Sequence, residues 1–170
     1  MDKSYIYLVF AVVAAMAFFI IVPKAQYKRF LLYGLVFGGI LDVISIVTLV
    51  PMNQIRFFNM GAFGIFGMIP ALVPATWMFA FGVFFYLMPR RIAFMIPYLF
   101  AFTALSYTVG LVMQSYGLFE YIGAQKYLAI PTFFLWYSLS AWVYSREIPF
   151  RSMQAAASKP IPLEKEESED

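Results

Sequence analysis

Asp42 is the one formal charge set deep inside an apolar run of this chain, so any chemistry has to be built around it. Gly34 and Gly38 precede it at four-residue steps, and Ser45 and Thr48 follow at three-residue steps. On a helix these five residues share one small, polar face, opposite a face of Leu, Val, Ile and Phe. An aspartate at mid-bilayer costs roughly 3 kcal/mol on insertion scales. Something has to offset that cost: a proton, hydrogen bonds, water in a cavity, a bound cation or a basic residue from another protein. No Lys or Arg lies inside another apolar run, which removes an internal ion pair. Three roles are left open. Asp42 is a protonated polar residue that fixes helix register, a substrate, ion or proton site, or the partner of a basic residue in another protein's span.

A depth count supplies candidate neighbours. Asp42 is nine residues from Pro51, hence about 13 Å from that end of its helix. The same depth falls near Thr76 in the third apolar run, near Thr103, Ser106 and Tyr107 in the fourth, and at Tyr137 and Ser138 in the fifth. These hydroxyls are expected to hydrogen-bond Asp42. Gly34 and Gly38 form a small-xxx-small pair, and Ala11 and Ala15 in the first run form another. Both pairs are expected to serve helix packing within the chain, with homodimerisation the alternative.

Much other chemistry is excluded. The chain has no cysteine and no histidine, which removes thiol chemistry, Cys-ligated metals, the usual general base and His-ligated haem. No second carboxylate lies within an apolar run to complete an acid/base pair. No glycine loop followed by Lys-Ser/Thr is present to hold phosphate. Trp77, Trp136 and Trp142 are expected to be belt or packing residues rather than a cofactor box. The expectation is a non-enzyme without metal or cofactor.

The elements that must position these residues follow from composition. Of 170 residues 63% are hydrophobic and only 12% charged, with a mean hydropathy of +0.79. Soluble domains carry about 25% charged residues, and a soluble fold cannot hide this much apolar surface. The fold class expected is all-α: an integral membrane bundle of five transmembrane helices, at about 4–23, 30–51, 70–88, 92–113 and 128–145. Between the second and third spans, 52–69 carries Gly61, Gly64 and Gly67 among aromatics, and is expected to be interfacial or re-entrant. Ala15-Met16-Ala17 looks like a leader-cleavage site, but the apolar run continues past it and ends at Lys24, so an anchor is expected. The stretch 146–170 turns acidic and is expected to be a disordered cytoplasmic tail.

Five spans put the termini on opposite sides. With the N-terminus outside, nine of the twelve Lys and Arg fall inside, among them Lys24, Lys28, Arg29, Arg90, Arg91 and Arg146. Only Lys3, Arg56 and Lys126 stay outside, which satisfies the positive-inside rule. The net charge of +3 therefore reports topology and not nucleic-acid binding.

Leu32-Tyr33-Gly34, Phe37-Gly38-Gly39 and Asp42, with Pro89-Arg90-Arg91 further on, resemble the second to fourth spans of small uncharacterised membrane proteins of spore-forming Bacillota. The resemblance implies a bacterial plasma membrane and carries no activity. Two functions are expected. The first is a non-enzymatic accessory, assembly or sensing subunit acting through helix contacts, with the lipid bilayer and another membrane protein or a homo-oligomer as partners. The second is a small-molecule transporter, or the substrate-binding subunit of one, with Asp42 in a polar seam.

Overall fold

The computed structural model describes residues 3–89 and 91–147. The described chain is predominantly helical, with five long helices: α1 (Tyr5–Ile21), α2 (Lys24–Leu49), α3 (Leu72–Leu87), α4 (Ile92–Ser115) and α5 (Gln125–Glu147). Prolines set the breaks. Pro23 forces Val22 into an extended conformation and stops α1, and Pro89 does the same to Met88 after α3. Helix α2 begins six residues before the expected span, and α5 continues through Arg146 and Glu147, which the sequence assigned to the tail. The remainder of that tail lies outside the described residues.

Two of these helices, α2 and α4, are long and apolar enough to cross a membrane. Helices α1 and α3 are apolar but have only 17 and 16 residues. Helix α5 is 23 residues long, but its hydroxyls and aromatics lower its hydropathy, and it does not reach the same level.

Helix α3 lies at the centre, with α1 along one side and α2 along another, and α4 and α5 form a separate packed pair. Aromatic side chains join the two groups. Phe81 of α3 stacks on Tyr137 of α5 at 4.9 Å, Phe84 meets Tyr98 and Phe102 of α4, and Phe85 meets Tyr144 of α5.

The region between α2 and α3 is not helical. It forms β1 (Ile55–Phe57), then β2 (Gly64–Ile65) and β3 (Ile69–Pro70), which pair as a small hairpin with Phe66 exposed at its tip. β1 pairs antiparallel with β4 (Phe119–Tyr121) from the α4–α5 connection, in the register Ile55 with Tyr121 and Phe57 with Phe119. An all-α reading contained neither strand pair. Segment 52–69 is thus one half of a two-part cap. The hydroxyl of Tyr7 on α1 lies 2.8 Å from Phe58 O and 2.7 Å from Leu118 O, so one donor holds both halves. Lys3 Nζ donates to Tyr116 O at 3.0 Å. The start of α1, the α2–α3 connection and the α4–α5 connection therefore meet at one end of the bundle. A second apolar core, with Ile6, Val73, Met113 and Leu118, sits beneath this cap.

Candidate functional site

The stripe on α2 is built by two glycines and a change of helical pitch. At Gly34 and Gly38 the backbone of α2 lies directly against α3. A Cβ on Gly34 would collide with Met78 O, and one on Gly38 with Trp77 O. The small-xxx-small pair thus serves packing inside the chain, because only the missing side chains let these backbones meet. Ala11 is buried and Ala15 half-buried on α1. Elsewhere on α1, the ring of Phe18 fills the notch left by Gly82 of α3. Nothing in the sequence marked Gly82 as a notch.

Just before Asp42 the helix opens into a π-turn over Leu35–Ile40. The amide of Leu41 reaches back five residues to Val36 O rather than four to Phe37 O. Phe37 O accepts a 2.9 Å hydrogen bond from the indole Nε1 of Trp136 on α5. Such turns insert one residue and rotate everything after them. The rotation explains a departure from the five-residue face. Asp42 is buried and Ser45 half-buried, but Thr48 points outward and bonds only to Ile44 O of its own helix. Ile46 takes the inner position instead.

Asp42 lies on the wall of a cavity of about 560 Å³ between the α1–α2–α3 group and the α4–α5 pair. Its side chain is 6% exposed, and Oδ2 is buried with no hydrogen bond from any described protein group. The hydroxyls expected around it divide. Ser106 and Tyr137 share the cavity wall, but they bond to each other at 2.7 Å, and Ser106 also bonds to Phe102 O. Thr103 and Ser138 lie off that wall, with buried hydroxyls that have no partner. Tyr107 stacks on Tyr121 of the cap. None of the five satisfies Oδ2. Ser106 and Tyr137 reach the cavity wall that Asp42 lines, but a depth count carries no information on which way a side chain turns.

The rest of the wall is apolar and aromatic. Trp77 and Trp136 lie 6.1 Å apart on it, and Phe133 lies parallel to Trp136. Both tryptophans face the bundle interior, unlike Trp142, which is exposed and carries Arg146 over its ring at 4.2 Å. At the capped end, Tyr121 OH fits against Gly110. Burial, with Tyr107 beside it, holds the Tyr121 phenol above its ordinary value. Ser45 and Thr76 also reach the wall, each with its hydroxyl donating to a carbonyl four residues back. Among the described residues no Lys or Arg lines the cavity, and no three of His, Cys, Asp and Glu come together.

No family model, curated protein or solved structure matches this chain. Its function has to be argued from the site.

The cavity has a mouth. Five residues on its wall are also exposed on the outside of the bundle: Val13 and Ile21 of α1, Leu87 of α3, Leu105 of α4 and Thr132 of α5. Val13 and Leu105, exposed by 58% and 59%, mark an opening on the flank between α1 and α4. A space of this volume, lined by apolar and aromatic groups around one carboxyl group, has the size and character of a small-molecule site.

Proposed function

We propose that the chain is a five-span, non-enzymatic membrane protein that binds a small molecule in the cavity at Asp42, as a transporter or the substrate-binding subunit of one. The observation that carries this reading is the Asp42 carboxylate, buried on a cavity wall with Oδ2 unpartnered. A residue present only to fix helix register is expected to be hydrogen-bonded to its neighbours. An assembly role for the glycine stripe has less support, since α3 already occupies Gly34 and Gly38.

Several features support the membrane setting. The apolar stretches of α2 and α4 are only 33% and 17% buried inside the bundle. Large apolar side chains such as Val12, Met16, Ile20, Phe94 and Phe100 point outward. Lipid satisfies such a surface and water does not. Helices α1 and α3 measure about 24–26 Å, short of a roughly 30 Å hydrocarbon core, and apolar neighbours at their ends extend them. Lys24, Lys28, Arg29, Arg91 and Arg146 lie toward the end away from the cap, which supports an outside cap, an N-terminus outside and a cytoplasmic C-terminus in a bacterial plasma membrane. The exposed Phe66 at the hairpin tip suits an interfacial cap.

The chain has no native cysteine, so single cysteines give clean accessibility tests. Ser45→Cys, on the cavity wall, is expected to react with a small methanethiosulfonate reagent in intact membranes. Ala141→Cys, buried in the aromatic core away from the cavity, is expected to stay inert. Equal inertness at both positions would refute a ligand-accessible cavity.

A further inference from the structure

Resting on the ligand-binding reading, we propose that the ligand is an organic monocation, a protonated primary or secondary amine with an aromatic or alkyl body, which enters between α1 and α4. Four observations converge on this chemistry.

The first is charge. Asp42 is the one Asp, Glu, Lys or Arg on the wall among the described residues, so no cation of the protein lies there to pair with it. A lipophilic anion would meet only repulsion, and a neutral ligand would leave the carboxylate unmatched. An ammonium supplies both the missing charge and N–H donors for the carboxylate.

The second is the sparse oxygen set. Calcium and magnesium require about six or more oxygens in a tight shell. Here a single carboxylate is accompanied by the hydroxyls of Ser45, Thr76, Ser106 and Tyr137, which come from four different helices around a space of about 560 Å³. A bare ion would be under-coordinated, whereas an ammonium carries its own apolar substituents into the remaining space.

The third is the wall. Trp77, Phe133, Trp136 and Tyr137 line the same cavity as the carboxylate. Ring faces attract cations and pack well against aromatic bodies. The volume of about 560 Å³ falls within the usual range of ligand pockets and far exceeds the needs of a single water or ion.

The fourth is the mouth. Four of the five exposed wall residues, Val13, Ile21, Leu87 and Leu105, are apolar, and Thr132 carries the one hydroxyl among them. A rim of this kind opposes entry of a strongly hydrated solute and admits a molecule already partitioned into the bilayer. An amphiphilic amine enters body first and meets Asp42 at depth.

The test uses the full chain in lipid nanodiscs, with equilibrium dialysis of two probes and subtraction of empty discs. The probes are 2-(2-naphthyl)ethylamine and the matching alcohol, which share the aromatic body but differ in charge, with three N–H donors against one O–H. The amine is expected to bind saturably, one per chain, at least about ten-fold tighter than the alcohol, because charge-assisted hydrogen bonds are roughly twice as strong as neutral ones. Asp42→Asn should remove that margin and leave the alcohol within about three-fold of its original affinity. Ala14→Trp, which fills the cavity from α1 and spares the carboxylate, should weaken both probes about ten-fold. Each variant is first required to run as a single species by gel filtration. An amine that binds no tighter than the alcohol, or a margin that survives Asp42→Asn, overturns the cationic class while the cavity stands as a ligand site. Failure of both probes to saturate also overturns it, and if Ser45→Cys is inert as well, the ligand-binding reading falls with it.

Discussion

Gly38→Ala and Gly39→Ala add the same methyl group at adjacent positions, and the structure predicts opposite outcomes. A Cβ on Gly38 would lie 2.5 Å from the carbonyl carbon of Trp77 and 2.9 Å from Met78 N, and closer still to Trp77 O. Comfortable carbon contacts begin near 3.5 Å, so α2 and α3 would have to part by about 1 Å. The obstacle is backbone within a helix, which cannot swing aside as a side chain can. The cost is therefore expected at the upper end of the overpacking range, about 3 kcal/mol. For a chain of this size that corresponds to a fall in Tm of roughly 6–12 °C. At Gly39 the nearest atoms to a Cβ are Leu35 Cδ1 at 3.4 Å and Pro74 O at 3.6 Å, which is ordinary contact. Alanine also has a better helix propensity than glycine by up to about 1 kcal/mol, so Gly39→Ala should be neutral or slightly stabilising. The assay is thermal unfolding of both variants in one detergent, followed by circular dichroism at 222 nm. Gly38→Ala also displaces Asp42 one turn further on, so accessibility at Ser45→Cys should change with it. Tm values for the two variants within about 2 °C of each other would refute the close α2–α3 approach and the placement of Asp42 that depends on it.

Two further predictions concern other joints of the bundle. A Cβ on Gly82 would meet the Phe18 ring at 2.6 Å, so Gly82→Ala should cost about 1–3 kcal/mol, and Phe18→Leu in the same chain should recover part of it. A double-mutant cycle with a coupling below about 0.5 kcal/mol would show that the notch does not hold α1. Tyr7→Phe removes the hydroxyl shared by Phe58 O and Leu118 O, which should cost about 1–2 kcal/mol and loosen the cap. The Phe58 amide, bonded to Leu118 O at 2.9 Å, should then exchange with solvent about ten-fold faster, while amides in the middle of α3 keep their rates. Unchanged exchange at Phe58 would mean that the cap is held by other bonds.

Composition and short-range order settled the helical class, the rough positions of the five helices, with α2 starting six residues early, and the singular status of Asp42. These are properties of local runs: an apolar stretch, a proline stop, a glycine every fourth residue. They also predicted that Gly34 and Gly38 would mark a close helix contact, because a missing Cβ has one dominant use in such a setting. The β1–β4 pair lay beyond reach, since its halves are more than sixty residues apart and neither is strongly strand-like alone. The π-turn escaped as well. Gly38-Gly39 permits it, but the Trp136 indole that engages Phe37 O comes from a helix about a hundred residues further on. That one-residue insertion turns Thr48 outward. The facing of the helices, not their depth, then decides that Ser106 and Tyr137 bond to each other and leave Asp42 Oδ2 unpartnered on a cavity wall. Sequence periodicity marks where along a helix a polar group stands. What it faces is decided by how neighbouring helices rotate and pack, which is a tertiary property.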